Sequence, residues 1–403
     1  MNTKPKILVL GGSFAGLAAA FELKHKLKDR AEITVLSKDP QFVFIPSLIW
    51  LVPGWRQPEE IVFDLEPALT RHDIRFVQGI AKKIDAEKNR VLTHNGEMAY
   101  DYLVVATGPR MAWEAVPGLG PHGGHTLSAC TLPHAIEAAK AWQDFLKNPG
   151  PVVVGAVQGA SCFGASYEIL LNLNRALKVA GVRNRSPLTF ITAEPFLTHF
   201  GINGFGSAQP IIEKFFQRAG INWLTSNVVE KVTPGEIHTR DNGVLPFNYS
   251  ILIPPFQGVG AVKESLGIGN AMGFVPVNDR YQHLEVPNIY AAGISVAVSP
   301  PAPTPVPCGV PKTAHMSEQM AAVAAHNIAA DILGGPPKEV PFPKTAAVCV
   351  MDAGNQGVLM VTDRIFAPRK IQLLIPGPWS HWLKIVLEKY LIWKLRTGRM
   401  QLP

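Results

Sequence analysis

Long hydrophobic runs are missing from this chain: no stretch approaches the roughly 18 consecutive apolar residues of a membrane-spanning helix. Charge is sparse as well, at 17% of 403 residues. No block of Lys and Arg interleaved with aromatics occurs, which argues against nucleic acid as a partner. Met1–Leu10 lacks the apolar core of an export signal before Gly11-Gly12, and this favours the cytoplasmic side. Cysteine is scarce. Cys130, Cys162, Cys308 and Cys349 are widely spaced, with no CxxC, no CxxCH and no zinc-ligand pattern, so no metal site and no covalent haem are expected. What the chain does have is 47% apolar residues and a formal charge of +7. The first supplies a packed core and rules out global disorder. The second suits an anionic cofactor, an anionic substrate or an acidic membrane surface.

Lys6–Leu10 reads as a short buried strand running into Gly11-Gly12-Ser13-Phe14-Ala15-Gly16, then an alanine-rich helix to about Leu27 and a second strand at Ile33–Leu36. A glycine turn in that setting lets the backbone approach a pyrophosphate seated on the helix N-terminus. Gly11, Ser13, Phe14, Ala15 and Gly16 are therefore candidate cofactor residues. The strict G-x-G-x-x-G pattern fails at Ser13, and Ser37-Lys38 stands where a ribose-binding acid is expected. Two later strands end in glycine, Asp101–Pro109 at Thr107-Gly108 and Asn288–Ile294 at Gly293-Ile294. Such strand ends are where an open α/β sheet holds its ligand.

Between them lies a second glycine turn, Pro151–Glu168, followed by a strand at Leu188–Thr192. The fold expected is α/β: two Rossmann-like dinucleotide-binding domains, the second inserted in the first, plus a C-terminal amphipathic-helix region. Boundaries are placed at 1–112 with 275–340, at 113–274 and at 341–403. The second turn carries Cys162 where only glycine and a free helix start are needed. A thiol there is expected to have its thiolate favoured by the helix dipole and unpaired N–H groups.

Ser299–Pro307 holds five prolines in nine residues and reads as a stiff, extended connector. It leads to Cys308, Pro311-Lys312-Thr313 and a helix over about Met316–Leu333. After Pro376-Gly377-Pro378, Trp379, Trp382, Leu383, Val386, Leu387 and Tyr390 recur at helical spacing. His381, Lys384 and Glu388 lie off that stripe. Tryptophans on one face with lysines beside it fit a helix lying in a membrane interface; the competing reading packs the stripe on the protein's own core.

The chain resembles the sulfide:quinone oxidoreductases, within the two-dinucleotide-binding flavoproteins. The resemblance rests on Gly159-Ala160-Ser161-Cys162-Phe163-Gly164 with Tyr167-Glu168, Ser128-Ala129-Cys130 with His134, Glu194-Pro195 leading to His199-Phe200-Gly201, Pro311-Lys312-Thr313, Val348-Cys349 with Asp352-Ala353-Gly354, and Glu388-Lys389-Tyr390. It implies FAD, sulfide as donor, membrane quinone as acceptor, and a peripheral, monotopic seat on a membrane through the last helix. Cys162 and Cys349 match the family's redox pair and Cys130 its third cysteine. Lys312 matches a lysine beside the flavin, His134 and His199 match histidines near the active site or quinone path, and Glu168 is positioned to move protons near Cys162. Pro46 and Ala81 join the cofactor-binding set. Cys308 stands where relatives often have Thr, so four cysteines compete for three roles. A homo-oligomer stays open.

Sulfide at neutral pH is largely HS⁻, a nucleophile that needs an electrophilic sulfur to receive it. A disulfide or bridging persulfide between Cys162 and Cys349 would supply one by thiol–disulfide exchange. Three other functions compete. A type II NADH:quinone oxidoreductase would place NADH on the second glycine turn with Glu194 on a ribose. A flavocytochrome-type sulfide dehydrogenase would pass electrons to a haem partner. A flavin-binding scaffold would have no turnover.

Overall fold

The computed structural model describes residues 4–400. In chain order its main elements begin with β1 (Lys6–Leu10), α1 (Phe14–Leu27), β2 (Glu32–Ser37), α2 (Leu48–Leu51), β3 (Arg75–Gln78), β4 (Tyr102–Val105) and α3 (Leu132–Lys147). Then come β5 (Val152–Ala156), α4 (Phe163–Val179), β6 (Leu188–Thr192), β7 (Ile221–Leu224) and β8 (Tyr249–Ile253). The chain returns through β9 (Ile289–Ala291) and α5 (Ala314–Leu333), and closes with β10 (Ala347–Asp352), β11 (Gly357–Thr362), β12 (Gln372–Gly377) and α6 (Trp379–Thr397).

Two parallel sheets result. The first has the order β9-β4-β1-β2-β3 and the second β7-β6-β5-β8. β9 pairs with β4 after the whole second sheet has been completed, so the second unit is inserted in the first. Both sheets read as near-continuous apolar runs, as parallel strands covered on both faces require; all five residues of β5 and of β8 are buried. Because the strands are parallel, their carboxyl ends share one edge, and the glycine turns lie there.

α1 and α5 lie against each other over the first sheet. The run of small residues in α1, Gly16 and Ala18–Ala20 among them, permits that close approach. Gly11 has φ +113, and a Cβ there would fall 2.2 Å from the carbonyl oxygen of Ala106, so only glycine lets β1 turn this tightly beside β4.

The C-terminal region is more than a helix. β10, β11 and β12 form an antiparallel sheet that carries Cys349, and α6 lies across it. No sheet was expected here, because Val348–Met351 and Leu373–Ile375 are short apolar runs whose periodicity alone does not separate strand from helix.

Candidate active site

The cofactor candidates gather at the carboxyl edge of the first sheet. Gly11–Gly16 follow β1, Ser37-Lys38 end β2, Ala81 lies three residues past β3, Thr107-Gly108 follow β4, and Gly293-Ile294 follow β9. Ser13 caps α1 without turning its hydroxyl onto the helix, and no acid occupies the first turn. The amides of that turn are left facing the edge with the positive end of the helix, a donor set suited to a pyrophosphate. Nothing lies within 4 Å of where a Cβ on Gly108 would sit. Ser295 Oγ holds both the Thr107 hydroxyl and the Gly108 amide, each at 3.2 Å. These residues fit FAD. Lys312 donates its ammonium to the carbonyl of Val296 at 2.7 Å and lies 4.6 Å from the centre of the Phe274 ring. Burial brings its pKa down to about 7. Pro46 lies in the turn that enters α2, a helix packed on α3 and α4. Lys38 is exposed and reaches Asp39 at 3.7 Å.

Three cysteines meet at the start of α4. Cys162 is its N-cap, Cys130 directly precedes Thr131, the N-cap of α3, and Cys349 lies on β10, which packs against α4. Cys162 is close enough to both to alter their titration or have its own altered by them. All four cysteines are free thiols. The expectation of a helix-favoured thiolate is corrected by the structure: burial pushes Cys162 up to about 12, the Cys130 thiol adds to this, and the Ala165 amide offsets only part of it. Burial likewise takes Cys130 and Cys349 to about 11.

Glu168 lies in the second turn of α4. Its Oε1 accepts the Asp352 amide at 2.9 Å and the Lys384 ammonium. Burial raises its pKa, with Lys384 and the Asp352 amide pulling the other way. Its charge acts on both Cys162 and Cys349.

The second glycine turn is closed. The Gly159 amide donates to Pro307 O at 2.6 Å, and the Gly309 amide donates to Ala160 O at 2.8 Å. The proline-rich segment thus covers the turn with its own backbone. Glu194, at the end of β6, is fully buried. It accepts the Tyr167 hydroxyl and the Thr192 hydroxyl, each at 2.8 Å, and the Phe200 amide at 2.6 Å. Burial pushes it up to about 7. Cys308 is also buried, and its thiol faces Val306 O at 3.5 Å. The His199 loop is shaped by these contacts: Gly201 has φ +72, and a Cβ on it would fall 1.9 Å from Gly309 O. His199 Nδ1 accepts the Gly201 amide at 3.2 Å, so its Nε2–H donates to Asn203 Oδ1 at 3.1 Å. Both nitrogens are committed within the loop.

His134 is buried and its Nε2 lies 2.9 Å from His122 Nε2. One ring must donate and the other accept, so at least one is neutral. Burial and the His122 charge lower the pKa of His134.

α6 turns its polar side inward. Lys384, Glu388 and Lys394 are buried, whereas Trp379, Trp382, Val386 and Trp393 are exposed, Trp382 by 67%. Glu388 accepts Arg56 Nε at 3.0 Å and the Ser47 hydroxyl, and Lys394 pairs with Glu318 at 3.3 Å. Asp352 accepts the Trp50 indole N–H at 3.0 Å and lies 2.7 Å from His381 Nδ1. Sequence reasoning missed Lys384, Asp352, Trp50, His381, Arg56 and Ser295 as site residues. The i,i+4 spacing of Lys384 and Glu388, off the tryptophan stripe, was the signal available.

The outer face of the β10–β12 sheet is apolar as well. Val348 pairs across to Val361 and Leu373, and Val350 to Leu359 and Ile375; Leu373 and Ile375 are exposed. Among the described residues no helix is long and apolar enough to cross a membrane.

Residues 5–321 match the family model described as pyridine nucleotide-disulphide oxidoreductase. The sulfide-quinone reductase of Aquifex aeolicus (strain VF5) is 38% identical over 98% of this chain and 92% of its own length. The X-ray structure of the sulfide:quinone oxidoreductase from that hyperthermophilic bacterium superposes with a TM-score of 0.94 at 37% identity, covering 98% of this chain and 92% of that one. A type II NADH:quinone oxidoreductase of Staphylococcus aureus (strain MSSA476) is 24% identical over 91% of this chain and 92% of its own. The chain belongs to the sulfide:quinone oxidoreductase family and is an FAD-dependent oxidoreductase.

Proposed function

We propose that this enzyme oxidises sulfide at Cys162, Cys349 and Cys130 and reduces quinone at the apolar face built by α6 and the β10–β12 sheet. The observation that carries this reading over NADH oxidation is the closed second glycine turn. Its amide and carbonyl are bonded to Pro307 and Gly309, and Glu194 is turned into the core, away from any ribose. The donor must enter elsewhere, and the cysteine cluster is the reactive group at hand.

FAD, when bound, supplies a two-electron acceptor that is reoxidised by quinone. The chain's residues do the rest. A sulfur bridge from Cys162 to Cys349 receives HS⁻; attack on one sulfur releases the other as thiolate. Burial makes each thiolate costly, so it is short-lived and passes its electrons on. Glu168, held between Lys384 and the Asp352 amide, takes the proton released as sulfide is consumed. Thr107, Gly108 and Ser295 fix the cofactor edge, and Lys312 adds a positive charge there below neutral pH. His134 with His122 links the Cys130 side to solvent, and His199 shapes the loop above Cys308.

The outward Trp379, Trp382 and Val386 match an interfacial helix lying on a bilayer, where quinone is found. The exposed Lys389, Arg396 and Arg399 would meet anionic headgroups; Lys384 and Lys394 face inward instead. We take the cytoplasmic face as the side of attachment, with the enzyme peripheral.

The test is anaerobic. Sulfide added to the holoenzyme bleaches the FAD absorbance, and NADH added to a second sample does not. Bleaching by NADH alone would overturn the reading.

A further inference from the structure

We propose that His381, held by Asp352, donates a proton to quinone at the apolar face. This rests on the reading that quinone meets the enzyme on that face.

Asp352 is fully buried. Its Oδ2 accepts two N–H groups, from the Trp50 indole and the Gly354 amide, both at 3.0 Å. Oδ1 is left as the acceptor for His381 Nδ1–H at 2.7 Å. That bond fixes the tautomer and the plane of the imidazole, the arrangement by which a buried carboxylate prepares a histidine for proton transfer. Nε2, on the far side of the ring, has no hydrogen-bonding partner among the described residues.

The ring bridges two environments. On one side its centre is 6.3 Å from buried Trp50, on the other 5.7 Å from Trp382. The His381 side chain is 18% exposed against 0% for Asp352. Asp352 ends β10 with its side chain in the interior, and His381 in the first turn of α6 carries the dyad outward to the exposed Trp382.

Other charges surround it. Lys384 on the same helix and Arg56 both lie over the Trp50 ring, at 5.1 Å and 4.7 Å. Glu168 of α4 accepts the Asp352 amide, and Arg175 of α4 packs beside Gly354.

Quinone that takes two electrons from reduced FAD must also take two protons. One quinone O–H bond forms as the Nε2–H bond of the imidazolium breaks, its electron pair staying on nitrogen. The neutral imidazole remains bonded to Asp352 and regains a proton from water at the surface. The second proton reaches the other oxygen from solvent.

The experiment compares wild type with His381→Gln and, because Asp352 is a buried anchor, with the milder Asp352→Asn. In anaerobic stopped flow, sulfide bleaches the FAD of H381Q as in wild type. Reoxidation by decylubiquinone then slows by on the order of a hundredfold, the low end for loss of a general acid. Added imidazole restores part of the rate. In ¹⁵N-histidine NMR of wild type, His381 shows the Nδ1–H tautomer, decylubiquinone shifts its Nε2 resonance, and D352N loses the tautomer preference. Wild-type reoxidation by H381Q, or an Nε2 resonance blind to the quinone, overturns the proposal alone. Failure of sulfide to bleach wild type overturns the underlying reading instead.

Discussion

Lys384 of α6 and Glu168 of α4 form an ion pair in which the side chains are only 8% and 12% exposed. The helix with the apolar outer face is thereby tied to the helix that begins at Cys162. Stripping one partner leaves the other charge buried and uncompensated, which costs about 3–5 kcal/mol. Glu168→Ala and Lys384→Met should each show that loss in denaturant unfolding. The double variant Glu168→Leu/Lys384→Met should regain most of it, since a buried pair replaced by apolar groups is often neutral. Losses that simply add would show that the pair is not coupled.

Cys162→Ala and Cys349→Ala should each abolish bleaching of FAD by sulfide while the visible flavin spectrum persists. The two thiols act as a pair, so neither substitution leaves partial function by this route. Cys130→Ala should slow turnover without removing it. Wild-type turnover in either of the first two variants would take the pair out of the mechanism.

Attachment through α6 is tested at its outward face. Trp382→Ser with Val386→Ser removes two exposed apolar groups, so thermal stability should hold within about 0.5 kcal/mol. Flotation with anionic liposomes should fall several-fold. Equal flotation of the two proteins would mean that this face does not meet lipid.

Glu194 should leave a signature in the pH dependence of stability. Burial raises its pKa from 4.5 to about 7, so the folded state holds this proton over a range where the unfolded chain has released it. Its contribution is fully present below about pH 4.5 and is lost as the pH rises through about 7. That window corresponds to about 3 kcal/mol. Glu194→Gln keeps the bonds from Thr192 and Phe200 in part and cannot ionise. The stability of wild type relative to this variant should therefore fall between pH 4.5 and 7, and a flat difference would place Glu194 in a solvated setting.

Much of this was legible in the residues. The β1 and β5 glycine turns, the strand ends at Thr107-Gly108 and Gly293-Ile294, and the insertion of one unit in the other follow from strand-turn-helix patterning, which is local. Helix α6 was also visible, observed over Trp379–Thr397. The burial of its polar face was not. Periodicity shows that two faces differ, and it cannot tell which faces the protein once buried partners such as Glu168, Arg56 and Glu318 lie far away in sequence. The thiolate expected at Cys162 failed for a similar reason. Its helix start is local, but the burial that dominates its titration comes from β10 and from the Cys130 segment.

The proline-rich segment seals the second glycine turn with main-chain atoms of Pro307 and Gly309, not with a removable side chain. Trimming any one side chain leaves such a seal in place. An evolutionary route from sulfide to pyridine nucleotide as fuel would have to rebuild the path of the backbone across several residues at once. Donor choice in this chain is accordingly a trait of its main-chain path.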